Sequence, residues 1–252
     1  MPYRFAHDRH DYTDLAAGPV LYSLPGRPAF PVRLASEIFQ RCQAHLLRLG
    51  SIPPYTVYDP CCGSAYLLVT LAYLHWPAIR QIVASDVDPT VMPLAERNLS
   101  LITLAGLETR IAQLAQLYRQ FGKASHEQAL ASARRLRAQV IDYHHLHPIQ
   151  SHAFVANALH GADLQPHLER GAVDLIVTDL PYGQRTTWWE TESPAGAFDP
   201  GWQLLEALRV LVAPASIVAL TAGKRQKIAH EAYQRVERWQ IGKRHTLFFR
   251  LK

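Results

Sequence analysis

Asp179-Leu180-Pro181-Tyr182-Gly183 closes an apolar run from Val173 to Thr178. A buried strand that stops at an acid, a proline and an aromatic ring builds a rigid slot at a sheet's carboxyl edge. Asp179 accepts hydrogen bonds, Pro181 fixes the backbone beside it, and Tyr182 offers a flat face to a base. An amine held edge-on to such acceptors is what transfer of a carbon group to a nucleobase nitrogen requires. An exocyclic base amine is a poor nucleophile because its lone pair delocalises into the ring. Drawing its two hydrogens onto the Asp179 carboxylate and the Leu180 carbonyl localises that pair. The same residue types also make ordinary strand-to-loop turns, so the surrounding elements decide.

Those elements are present. Thr56 to Tyr66 reads as a strand, a small-residue loop around Gly63 and a helix start, and Ile82 to Ser85 is a further strand ending at Asp86. In a doubly wound sheet, ligands sit beyond such strand ends. A dinucleotide fingerprint starting at Gly63 needs glycine at Ala65 and Leu68, which argues against a nicotinamide-dependent dehydrogenase. Two other readings stay open: an adenine-amino methyltransferase acting on RNA or DNA, and a non-catalytic RNA-binding assembly protein. A scaffold, however, has no use for Asp179, Pro181 and Tyr182 together.

Asp59, Gly63, Asp86 and the Asp179–Tyr182 stretch resemble the motifs of class I S-adenosylmethionine-dependent methyltransferases. Leu180 stands where the family's (Asn/Asp)-Pro-Pro-Tyr motif has its first proline, and Ala65 where a glycine is usual. Pro28 to Ala35, Asp59 to Ser64, Ala84 to Pro89 and Thr178 to Gly183 together resemble the avilamycin-resistance 23S rRNA (guanine) methyltransferases. The likeness is dense over 26–89 and 173–188. It implies an α/β fold: a doubly wound, Rossmann-like sheet, mostly parallel, with a C-terminal antiparallel hairpin strand. It implies S-adenosyl-L-methionine as donor, held by Asp59, Cys61, Gly63, Tyr66, Asp86, Asn157 and Asp179. Asp86 would take the ribose hydroxyls and Asn157 the adenine amino group. The catalytic set is Asp179, Leu180, Pro181 and Tyr182. The implied substrate is a guanine of 23S ribosomal RNA, free or in the large subunit, modified at an amino nitrogen. Resistance to an orthosomycin-type antibiotic is the implied consequence.

Composition agrees with such a partner. The chain has 252 residues, enough for one α/β domain with embellishments, and a formal charge of +5 favours a polyanion over an acidic protein surface. Arg185 and Trp188 follow the slot, with Trp189 beside them, and suit contact with phosphate and neighbouring bases. Lys224, Arg225 and Lys227 follow a candidate strand at Ile217–Leu220, on the same edge. Arg134, Arg135 and Arg137 lie on an extra helix, as an RNA contact or a solvated face. Cys61-Cys62 and His144-His145-His147 lack metal-ligand spacing, so no metal is expected. Three cysteines make no disulfide framework, no apolar run reaches membrane-spanning length, and the first residues lack a signal-peptide core. A cytoplasmic monomer is the expectation.

Along the chain, residues 1–50 form an N-terminal extension with one helix from Val32 to Leu49, ended by Gly50. The methyltransferase domain spans 51–252. Strands are expected at Tyr55–Tyr58, Gln81–Ser85, His152–Val155 and Val173–Thr178, with a hairpin at Arg235–Gln240 and His245–Leu251. Helices are expected at Tyr66–Trp76, from an Asp88-Pro89 cap to Thr103, and at Trp202–Val212. A helical insertion at about 107–150 holds Leu107–Phe121 and Ser125–Val140, the second opened by a Ser125/Gln128 capping box.

Overall fold

The computed structural model describes residues 3–24, 26, 28–180 and 199–252. A 3-10 turn (Thr13–Leu15) precedes α1 (Val32–Arg48), β1 (Tyr55–Asp59), α2 (Tyr66–His75), β2 (Ile79–Asp86) and α3 (Met92–Ser100). Then follow α4 (Leu104–Phe121), α5 (Ala124–His144), β3 (Gln150–Val155), α6 (Gly161–Leu164) and β4 (Val173–Asp179). The chain ends in α7 (Pro200–Leu208), β5 (Val212–Gly223), β6 (Tyr233–Ile241) and β7 (Arg244–Leu251).

The strands form one seven-stranded sheet in the order β3-β2-β1-β4-β5-β7-β6. β1 to β5 are mutually parallel, and β7 runs antiparallel to both β5 and β6. This is the mostly parallel sheet with a terminal hairpin expected from sequence. The order reverses between β1 and β4, which places a crevice beyond their carboxyl ends. Alternate residues feed two cores. Val57, Leu175, Val177 and Phe248 face the layer of α1 to α5, whereas Tyr58, Ile176, Val218 and Phe249 face α6 and α7. Burying each such side chain contributes about 1.5–3 kcal/mol.

Several boundaries moved for local reasons. Asp88 does not cap a helix: its Oδ1 accepts the Thr90 amide (2.9 Å) and hydroxyl (2.6 Å) in a tight turn. The proline in the first turn of α3 is Pro93, not Pro89. Thr103 caps α4 by accepting the Gly106 amide at 3.1 Å, so that helix starts before Leu107. Gly106 is obligatory there, since a Cβ would lie 2.0 Å from the Ser100 carbonyl oxygen. α5 begins at Ala124 with no side-chain cap, so the Ser125/Gln128 box does not form its start. Asp199 caps α7 through the Gly201 (3.0 Å) and Trp202 (3.1 Å) amides. β5 is far longer than its apolar centre because β4 and β7 pair along both its edges.

The N-terminal extension is bound by polar groups as well as packing. Fully buried Glu37 on α1 accepts the amides of Arg4 (2.7 Å), Phe5 (2.8 Å) and Ala6 (2.8 Å) and pairs with Arg41 at 2.6 Å. Arg41 continues to Glu237 on β6, which His45 also meets at 2.8 Å. Burial pushes the Glu37 carboxyl up, but the three amides and Arg41 outweigh it and hold it below the usual range.

Candidate active site

Three neighbouring strands each deliver an acid at the carboxyl edge: Asp86 closes β2, Asp59 closes β1 and Asp179 closes β4. The ladders place Asp59 opposite Ala84, Asp86 opposite Val155 and Asp179 opposite Thr221. Asp59 is 2% exposed. Burial pushes its carboxyl up to about 7; Asp86 and Asp179 add to the effect, while Thr178 and the Cys61 amide oppose it.

The loop between β1 and α2 is wired to these acids. Asp59 Oδ1 accepts the Cys61 amide at 3.0 Å and Asp86 Oδ2 accepts the Gly63 amide at 2.8 Å. The Cys62 amide reaches the Ser85 carbonyl at 2.9 Å. Gly63 (φ 52°) and Ala65 (φ 55°) are both left-handed. At Gly63 that costs nothing, whereas Ala65 carries strain of about 1–2 kcal/mol that its buried surroundings hold in place. The result is a tight turn beside the strand ends, just ahead of the α2 N-terminus.

At β4 the Leu180 amide donates to the Thr221 carbonyl at 2.8 Å, extending the ladder past Asp179. The Leu180 side chain is buried in the core beneath α6 and α7, which explains why a leucine suits a position where proline is usual. Pro181, Tyr182, Gly183, Arg185, Trp188 and Trp189 lie outside the described residues.

A family model described as rRNA methyltransferase AviRa matches residues 1–244. The chain belongs to this family. It is 42% identical over 248 residues (98% of this chain, 95% of the relative) to a Streptomyces viridochromogenes protein named 23S rRNA (guanine(2535)-N(1))-methyltransferase. Two solved structures of the rRNA methyltransferase AviRa from that organism superpose with TM-scores of 0.86 and 0.87 at 41% and 40% identity. Each match covers 99% of this chain and 96% of the other. The chain is therefore an rRNA methyltransferase with the class I fold.

On this AviRa frame the expected donor residues divide. Asp59, Cys61, Gly63, Asp86 and Asp179 gather at the crevice. Burial holds the Cys61 thiol well above its usual pKa, with the Asp59 and Asp86 charges adding, so it stays protonated and contributes shape and its amide. Tyr66 is buried and spends its hydroxyl on the Leu15 carbonyl (2.7 Å), so it anchors the N-terminal segment. Asn157 follows β3 on the same edge, and its Oδ1 accepts the Leu159 amide at 3.0 Å.

The expected RNA residues divide too. Lys224, Arg225 and Lys227 are exposed in the turn after β5. The Lys224 amide donates to the Lys243 carbonyl at 3.1 Å, so the β6–β7 turn and Arg244 join the same edge. Sequence reasoning missed Lys243 and Arg244 because only the insertion of β7 beside β5 brings them there. On α5, Arg134 is exposed, but Arg135 grips Asp14 (2.8 and 2.5 Å) and Arg137 pairs with Glu108 at 2.8 Å. Two cations of that stripe are thus already matched within the chain. No described helix is long and apolar enough to cross a membrane.

Proposed function

We propose that this chain methylates ring nitrogen N1 of a guanine in 23S ribosomal RNA, using S-adenosyl-L-methionine. The arrangement that carries the reading is the row Asp86, Asp59 and Asp179 at adjacent strand ends, in a chain 42% identical to a guanine-N1 methyltransferase. The amino nitrogen expected from the slot motif gives way to N1 on the strength of that relative's name.

The donor fits the residues present. Asp86 already holds the Gly63 and Asp88 amides (2.8 and 3.1 Å), and its oxygens have further lone pairs for two ribose hydroxyls. When bound, the donor supplies an electrophilic methyl carbon. The protein's part is then to position the base and move one proton.

N1 of guanine carries a hydrogen, and its lone pair belongs to the lactam. Asp179 would take that proton from N1, and the freed pair would receive the methyl group that a bound donor supplies. Leu180, placed by its Thr221 ladder bond, presents the next backbone carbonyl to the slot. Tyr182 stacks on the base, which must be turned out of any helix to enter. Arg185, Trp188, Lys224, Arg225 and Lys227, joined by Lys243 and Arg244, bind the surrounding phosphates and bases. Resistance to an orthosomycin-type antibiotic is the physiological consequence this reading carries.

Mass spectrometry of 23S rRNA modified in vitro with labelled donor tests the reading. Label in 1-methylguanosine is expected. Label in N2-methylguanosine would move the chemistry back to the amino group, and label in adenosine would overturn the guanine assignment.

A further inference from the structure

Residues 12–24 form a strap, and one buried side chain ties that strap to the loop between β1 and α2. Asn98 on α3 is fully buried. Its Oδ1 accepts the Tyr22 amide (2.8 Å), and its Nδ2 donates to the Tyr22 carbonyl (2.9 Å) and to the Ser64 carbonyl (2.8 Å). Ser64 sits between the two left-handed residues of the loop, one position after the amide held by Asp86. Leu24 of the strap lies over Gly63, 3.6 Å from where a Cβ would stand.

The α4–α5 insertion grips the other side of the strap. Arg110 donates to the carbonyls of Val20 (3.1 Å) and Pro19 (3.0 Å), and its guanidinium lies 4.3 Å from the Tyr22 ring centroid. The Tyr22 hydroxyl donates to Gln113 at 2.9 Å, and Arg135 holds Asp14. Insertion, strap, Asn98 and loop therefore form one continuous hydrogen-bonded chain ending at the crevice.

We propose that Asn98 is a positioning residue for methyl transfer, and that the insertion clamps the strap so that Asn98 can set the loop against the donor. Asn98 touches no reacting atom. It acts through Ser64, whose carbonyl fixes the turn that presents the Gly63 backbone. An amide is required because the site needs an acceptor for Tyr22 and two donated hydrogens for two carbonyls; a carboxylate supplies only the first. The proposal rests on the reading that the Asp59–Ala65 loop holds the donor.

Binding of S-adenosylhomocysteine to the full chain, by calorimetry, tests it on protein shown to be folded by its melting transition. Asn98→Ala should weaken binding about tenfold and Arg110→Ala about threefold, as expected for losing one to two net hydrogen bonds that order a site. In turnover, the donor KM should rise in both variants while the RNA KM stays put. Asp86→Ala provides the reference. If it loses donor binding while the folded Asn98→Ala and Arg110→Ala proteins bind normally, the positioning role is wrong. A parallel rise in the RNA KM would also overturn it, because it would mean general loosening. If Asp86→Ala binds normally as well, the donor-site reading falls and takes this proposal with it. Should Asn98→Ala fail to fold, Arg110→Ala decides alone.

Discussion

Glu37 and Asp59 are both buried carboxyls, yet their surroundings push them in opposite directions. Glu37 is ringed by three amides and an arginine and is held below the usual range. Asp59 has acids for neighbours and is pushed up to about 7, chiefly by burial. The first arrangement is closed: every bond the carboxylate needs is made within the chain, so it anchors the N-terminal extension. The second also accepts hydrogen bonds, from the Cys61 amide and Thr178, but these do not offset its burial. Acids crowded at strand ends raise the energy of one another's charged forms, and a ligand that brings hydroxyl donors or positive charge relieves that cost. Burial of a charge thus marks structure in one region and a site in the other, and the identity of the neighbours tells which.

Five variants can break or sharpen this contrast. Asp179→Ala should have the largest effect, lowering single-turnover methyl transfer about 10²–10⁴-fold at saturating RNA and donor. Near-normal turnover would mean the acid row does not contain the base. Glu37→Ala should cost about 3–5 kcal/mol in denaturant unfolding, since it leaves three buried amides without an acceptor and Arg41 with Glu237 alone. A loss below 1 kcal/mol would show the anchor to be dispensable.

Asp59→Asn should change the pH dependence of stability. In the parent chain the folded pKa of Asp59 is above the unfolded value near 3.8, so the native state holds the proton longer. Stability therefore falls as pH rises from about 4 to about 7, by at most about 4 kcal/mol, and stays lowered above that window. The asparagine variant still accepts the Cys61 amide but has no charge to bury. Its melting temperature relative to the parent should climb through the same window; a constant difference would place Asp59 outside the strained row.

The smallest effect is expected on α5. Neutralising Arg135 and Arg137 should leave the salt dependence of RNA binding unchanged, because Asp14 and Glu108 already satisfy them. Neutralising Lys224, Arg225 and Lys227 should lower the log–log salt slope by about 0.7–0.9 for each phosphate contact removed. A slope that responds to the α5 arginines instead would make that helix part of the RNA surface.

The catalytic edge was legible because its signals are local. Asp59, Asp86 and Asp179 each end a largely apolar run, and a run of that kind suits a buried parallel strand. Gly63 marks its own turn. Helix starts were less legible, since Asp88 and Ser125 are good caps that the chain uses otherwise, and Thr103 caps α4 without its pattern being conspicuous. What the sequence hid entirely were long-range polar partnerships. Arg135 finds Asp14 across 121 residues and Arg137 finds Glu108 across 29, so two of three arginines that look free in sequence are matched in space. Glu37 and Asn98 escaped notice for a related reason: their partners are mostly backbone groups, which carry no residue signature.

The position of β7 bears on how the molecule assembles. Among the described residues β6 joins the sheet only through β7, and the two are linked by the short turn at Gly242. Closing so short a loop is entropically cheap, so the hairpin is the natural early-forming piece. Its remaining step is to zip β7 onto β5, and that single event seats Phe248 in one hydrophobic layer and Phe249 in the other. Neither layer is complete without it. The two faces of the sheet should therefore be gained and lost together, as one cooperative transition rather than two.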